Sequence, residues 1–102
     1  MNRKELISQA IEENPENPLN HYLLAIEERS EGFIDNCINR LYSIIERFPT
    51  YHPTYYTLAE LLYQLDQTDK GTRIANAGIR NAKDLRLTKV LHELEQLILI
   101  ND

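Results

Sequence analysis

The chain has no tryptophan, one methionine and one cysteine. A lone cysteine excludes an internal disulfide and fits a reducing compartment. Three glycines and four prolines in 102 residues leave no glycine-rich phosphate loop and no low-complexity segment. No stretch is long and apolar enough to span a bilayer. Arg3 and Lys4 near the start are followed by Glu5, Gln9, Glu12 and Glu13 rather than by the apolar core of a signal peptide, so the expectation is a soluble, cytoplasmic protein. Positive charge is also short, with 11 Lys and Arg against 16 Asp and Glu and a net charge of -5. An acidic molecule repels nucleic acid and anionic membrane. Alternation of the kind strands require is absent.

What the chain does have is helical periodicity. With 42% hydrophobic residues it has enough apolar material for one small domain with a continuous but shallow core. Leu6, Ile7, Ala10 and Ile11 mark one face of a first helix over 2–13. Asn14-Pro15-Glu16-Asn17 stops it, and Pro18 opens a second, near 18–29, that buries Leu24 and Ala25. Ser30-Glu31-Gly32 breaks the second helix. A third, 34–48, carries Cys37, Leu41, Ile44, Ile45 and Phe48. After Pro49, Pro53 opens a fourth, 53–65, with Leu58, Ala59, Leu61, Leu62 and Leu65. The polar run 66–69 offers capping oxygens to a fifth helix over 69–82. A sixth, 85–100, is amphipathic through Leu87, Val90, Leu91, Leu94, Leu97 and Ile98. The fold class is all-α, with about six antiparallel helices.

These helices repeat. Shifted by 34 residues, Pro15 falls on Pro49, Tyr22 on Tyr56, Leu24-Ala25 on Leu58-Ala59, and Ile11 on Ile45 and Ile79. The first helix of each pair reads His21-x2-Leu24-Ala25-x2-Glu28 and Tyr55-x2-Leu58-Ala59-x2-Leu62. The second reads Cys37-x3-Leu41 with Pro49, then Gly71-x3-Ala75 with Lys83 where proline would stand. Ala25, Ala59, Cys37 and Gly71 are small where two helices must approach closely. This pattern resembles the tetratricopeptide repeat (TPR) family, over nearly the whole chain, and in particular its short, free-standing members. It departs from the family pattern in lacking the tryptophan, in alanine for glycine, and in His92-Glu93 where Leu-Ala is expected. The resemblance implies a right-handed α-α superhelix built as a half repeat (2–14), repeats over 18–49 and 52–83, and a capping helix over 85–100. It also implies a scaffold that binds other proteins rather than an enzyme, with no cofactor and no metal.

In this family ligands lie along a concave face made by the first helix of each repeat. Here Leu19, Tyr22, Ile26 and Arg29 share one helix side, as do Tyr56, Glu60 and Tyr63. Tyrosines bring large apolar area with a polar tip, so Tyr22, Ile26, Arg29, Tyr56, Glu60 and Tyr63 are the expected partner contacts. An acidic tail would meet little positive charge there; an apolar or aromatic segment with a basic residue facing Glu60 fits better. The rival expectation is self-association, as a homodimer or head to tail. It draws on the apolar end Leu97-Ile98-Leu99-Ile100 and on opposed charge, with seven acids from Glu12 to Asp35 and six bases from Lys70 to Lys89. Nucleic acid is the weakest reading, because the basic stripe is short. His21, His52 and His92 lie far apart and Cys37 sits at a small buried position, so neither a metal site nor a nucleophile is expected. Adjacent Glu12-Glu13 and Glu27-Glu28 point to different helix sides rather than into one acid–base site.

Overall fold

A computed structural model describes residues 1–102 as six helices and no strands: α1 (Arg3–Glu13), α2 (Pro18–Ser30), α3 (Ile34–Arg47), α4 (Pro53–Gln64), α5 (Thr68–Asp84) and α6 (Thr88–Asn101). They form two compact units, Met1–Phe48 and Pro49–Asp102. In the first, α2 packs against both α1 and α3; in the second, α5 packs against both α4 and α6, and α4 also meets α6. Within each unit the short turns make consecutive helices antiparallel.

Side chains cap the two earliest helices. Asn2 Oδ1 accepts from the Glu5 N–H at 2.8 Å, and Asn17 Oδ1 accepts from the Leu19 N–H at 3.0 Å ahead of Pro18. The run 66–69, expected to cap α5 with a side-chain oxygen, does otherwise: the cap residue is Gln67 and makes no such bond. Asp66 instead adopts φ 60. Its N–H donates to Tyr63 O at 3.0 Å while the Gln67 N–H donates to Leu62 O at 2.9 Å, closing the end of α4. The same turn closes α2 at Gly32, φ 87, through Phe33 N–H to Glu28 O at 2.8 Å. Gly32 and Asp66 lie one repeat apart, and glycine or aspartate enters the left-handed region more readily than most residues.

The final turn breaks the period. Lys83 stands where Pro15 and Pro49 stop the earlier helices, so α5 continues to Asp84 and is 17 residues long, against 11 for α1 and 14 for α3. It closes at Arg86, φ 57, with the Leu87 N–H on Ala82 O at 2.8 Å. Residues 85–87, expected inside the last helix, therefore form the turn, and α6 begins at Thr88. Its buried residues are Leu94 and Leu97, which lie two residues later than a strict repeat of Leu58 and Leu61 would place them.

A second regularity is carried by different residues in each unit. Pro15 O receives His21 Nε2 at 2.7 Å and Arg47 Nη2 at 3.4 Å. Pro49 O receives Tyr55 Oη at 2.6 Å and Asn81 Nδ2 at 2.8 Å. Every one of these positions is offset by one repeat. Each unit thus ties a proline carbonyl outside its helices to both members of a helix pair, satisfying an acceptor that has no place in a helical ladder.

The core of the first unit is Ile7, Leu24, Ala25, Cys37, Leu41 and Ile44. Glu28 is buried among them at 4% exposure, its carboxylate held by Arg40 through Nε at 2.6 Å and Nη2 at 3.2 Å. One repeat later the same two positions are Leu62 and Ile74. In the second unit α5 buries nothing larger than alanine: Gly71, Ala75, Gly78 and Ala82. A Cβ on Gly71 would meet the Tyr63 ring at 2.9 Å. One on Gly78 would lie 2.7 Å from Tyr55 Cβ and 2.8 Å from Leu94 Cδ1.

Two outcomes are expected in urea unfolding. Gly78→Ala gains about 1 kcal/mol of helix propensity but must displace Tyr55 close to its backbone, for a net loss of about 1–2 kcal/mol; Asn76→Ala, exposed on the same helix, serves as the propensity control. A Gly78→Ala protein as stable as that control would contradict the packing. Arg40→Ala, which strands a buried carboxylate, costs about 2 kcal/mol. Glu28→Leu/Arg40→Ile, which copies the second unit, recovers at least half of that loss; no recovery would mean the two sites are not equivalent.

Candidate functional site

The α4–α6 side of the second unit carries an open groove of about 370 Å³ lined by Tyr56, Glu93, Gln96, Leu97, Leu99 and Ile100. It exists because α4 points its largest apolar residues, Tyr55, Leu58, Leu62 and Tyr63, into the core, leaving Tyr56 half-buried on another side. Periodicity does the same on α6, where Leu94 and Leu97 face inward while Leu99 and Ile100 stay 70% and 77% exposed. Two large aliphatic side chains so exposed beside an aromatic ring make an apolar surface that water covers poorly. Glu93 lines the groove, and its only ion pair is an exposed one with Lys89 at 4.0 Å, which holds it weakly.

The six expected contacts separate. Tyr56 lines this groove, and Glu60, one turn on, is half-buried on α4. Tyr63 is turned inward at 8% exposure, its ring against Gly71 and its hydroxyl 2.7 Å from Thr72 Oγ1. Tyr63 offers no surface, because the absence of a side chain on Gly71 draws the ring into the α4–α5 contact. Tyr22, Ile26 and Arg29 lie half-buried along α2 of the first unit. Leu97, Leu99 and Ile100 of the groove come from the apolar run expected to serve self-association. Glu93 and Gln96 carried no signal, since a two-residue slip in packing decides which side of α6 they occupy.

A second groove, of about 500 Å³, lies in the first unit between α2 and α3. It is lined by His21, Glu28, Asn36, Asn39, Arg40, Ser43, Ile44, Arg47 and Phe48. The His21 ring packs on Phe48 at 5.7 Å between centroids, and the Arg47 guanidinium lies 4.9 Å from the same phenyl ring. Its α3 residues are mostly polar.

Charge is distributed unevenly between the units. In the first, Arg3, Lys4, Arg40 and Arg47 pair with Glu27, Glu31, Glu28 and Glu16. In the second, Lys70, Arg73, Arg80 and Lys83 stand exposed on α5, where solvent screens them. No helix is long and apolar enough to cross a membrane, and no three His, Cys, Asp or Glu side chains gather as a metal-binding group.

Burial raises the Cys37 thiol above its usual value of 9.0, with Arg29 and Arg40 opposing and Glu28 reinforcing. The thiolate that nucleophilic chemistry needs is therefore disfavoured. Burial also raises the Tyr55 phenol above 10.0, against a lowering by Arg80. Both groups are held neutral in the fold, so the folded state binds more protons than the unfolded one at alkaline pH. Their stabilisation is complete below the unfolded values and is lost as pH rises through the raised ones. The midpoint of urea unfolding should fall above about pH 9–10, and Tyr55→Phe should flatten the upper part of that fall. An unchanged alkaline limb in Tyr55→Phe would show that the phenol is not held neutral.

No protein-family sequence model matches the chain, and no curated protein sequence does. Solved structures do. The solution NMR structure of a tetratricopeptide repeat domain protein from Salinibacter ruber superimposes with a TM-score of 0.83 at 30% identity, covering 87% of this chain and 90% of that one. A crystal structure of a tetratricopeptide repeat domain protein from the same organism gives 0.77 at 29% identity, covering 83% and 96%. The all-α helical-repeat fold and this similarity together place the chain in the tetratricopeptide repeat family.

Proposed function

We propose that this protein is a protein-interaction module that docks a short segment of another protein in the α4–α6 groove. The observation that carries the reading is the exposure of Leu99 and Ile100 beside Tyr56 in one groove. Tyr56, Leu99 and Ile100 supply the apolar anchors, with the buried Leu97 beneath them. Glu93 on the rim and Glu60 on α4 favour a basic residue flanking the partner's apolar side chains. Anchors of this kind carry most of the energy of an interface. Tyr22, Ile26 and Arg29 are the contacts we assign to the first unit. The family's fold is an interaction fold without catalytic machinery of its own, which supports a binding role over an enzymatic one.

The rival reading is self-association through the same apolar run, favoured by the exposure of Leu99 and Ile100 themselves. Sedimentation separates the two. Docking of a different protein predicts a mass near 12.0 kDa at every concentration. It also predicts capture of a cellular partner that Tyr56→Ala/Leu99→Ser weakens by about tenfold or more, with helicity unchanged. Doubling of mass with concentration, abolished by the same variant, would decide for the homo-oligomer.

A further inference from the structure

Helix α4 shows how this unit receives a helix, and α6 repeats that surface with nothing over it. α4 turns Tyr55 and Tyr63 onto α5, where a Cβ on Gly78 or Gly71 would meet them. Ala59 and Leu62 lie on the same helix side, at 0% and 1% exposure. Leu94 follows Leu58, and Leu97 follows Leu61, by one and the same interval, and all four are buried. That interval carries Tyr55 to Leu91, Ala59 to Glu95, Leu62 to Ile98 and Tyr63 to Leu99. Tyr63 is 8% exposed under α5, but Leu99 is 70% exposed. Leu91 and Ile98 are half-buried and Glu95 is exposed. A helix that only closed the array would present polar residues here.

The form of the occupant follows from the side chains it would meet. An extended segment would set its backbone N–H and C=O groups against leucine and isoleucine, which offer them no partner, whereas a helix satisfies its own. Glu95 sets the charge. Where Ala59 lets α5 approach α4 closely, Glu95 holds a docked helix farther off and needs an opposite charge once water is excluded. Glu95 has no hydrogen bond or ion pair inside the chain, and the one cation of α6, Lys89, pairs with Glu93 instead. We infer that this side of α6 binds an amphipathic helix of a partner protein, with apolar residues on Leu91, Ile98 and Leu99 and a lysine or arginine on Glu95. The site does not depend on the α4–α6 groove, although Leu99 borders both.

The probe is an acetylated, amidated peptide of 17 residues, the length of α5, with a central lysine, leucine one turn to either side, and alanine and glutamine elsewhere. Its controls carry glutamate in place of the lysine, or proline beside it to abolish the helix. Titrated into the 15N-labelled full chain, the lysine peptide should shift the backbone amides of Leu91, Glu95, Ile98 and Leu99. It should bind about fivefold more tightly than the glutamate peptide, and the proline peptide should not bind. Glu95→Lys, an exposed change that leaves the fold intact, should reverse the preference, and Leu99→Ser should weaken the lysine peptide about tenfold. Equal binding of the lysine and glutamate peptides, a preference that Glu95→Lys does not reverse, or binding of the proline peptide would overturn the assignment. So would absence of binding, or shifts centred on Tyr56 and Glu93, which would put the peptide in the α4–α6 groove. Broadening of the same amides with concentration before peptide is added would give the surface to a second copy and overturn it too.

Discussion

The second unit rests on the smallness of one helix side. Because α5 presents only Gly71, Ala75, Gly78 and Ala82 to its neighbours, Tyr63 of α4 and Tyr55 and Leu94 on either side of Gly78 approach to contact distance. That closeness buries two tyrosine rings that would otherwise be surface and fixes which side of α4 remains outside. It also sets the rotation of α6, and through it the exposure of Leu99 and Ile100. The groove at Tyr56 is thus a consequence of glycine and alanine on the opposite helix. Interiors packed at crystal-like density transmit such choices over a whole unit.

Repetition in this chain is kept in chemistry more than in letters. The proline carbonyl is tied by imidazole and guanidinium in one unit and by phenol and amide in the other. The left-handed turn residue is glycine once and aspartate once, and the interior pair is Glu28 with Arg40 once and Leu62 with Ile74 once. Each solution meets the same geometric need with different atoms. Between the two units of this chain, hydrogen-bond roles persist where residue types drift. The polar version of the interior pair leaves the first unit with a guanidinium at its surface that the second unit lacks.

Helix number, order and the proline stops were legible from the 34-residue shift, since apolar periodicity and proline act locally. The family followed from Leu24-Ala25, Leu58-Ala59 and the small residues at 37 and 71. What was illegible depended on relations across helices. Tyr63 reads as surface by helical spacing, and only the Gly71 contact turns it inward. The start of α6 needed the observation that Lys83 lets α5 run on until Arg86 closes it. The capping expected at 66–69 failed because Asp66 is needed as the turn residue. Tyr56 was within reach of sequence reasoning because it lies off the buried stripe of α4 and, unlike Tyr63, stays only half-buried. Its neighbours on α6 were not, because their side of the helix depends on a two-residue slip.

The central claim is that Tyr56 marks a surface where another protein docks, and a photo-cross-linking residue placed there in the source cell tests it most directly. The account predicts a discrete adduct with a different protein at position 56 and none at Lys83, exposed on α5 and outside the groove. Equal labelling at both positions, or an adduct of twice the chain mass alone, would contradict it.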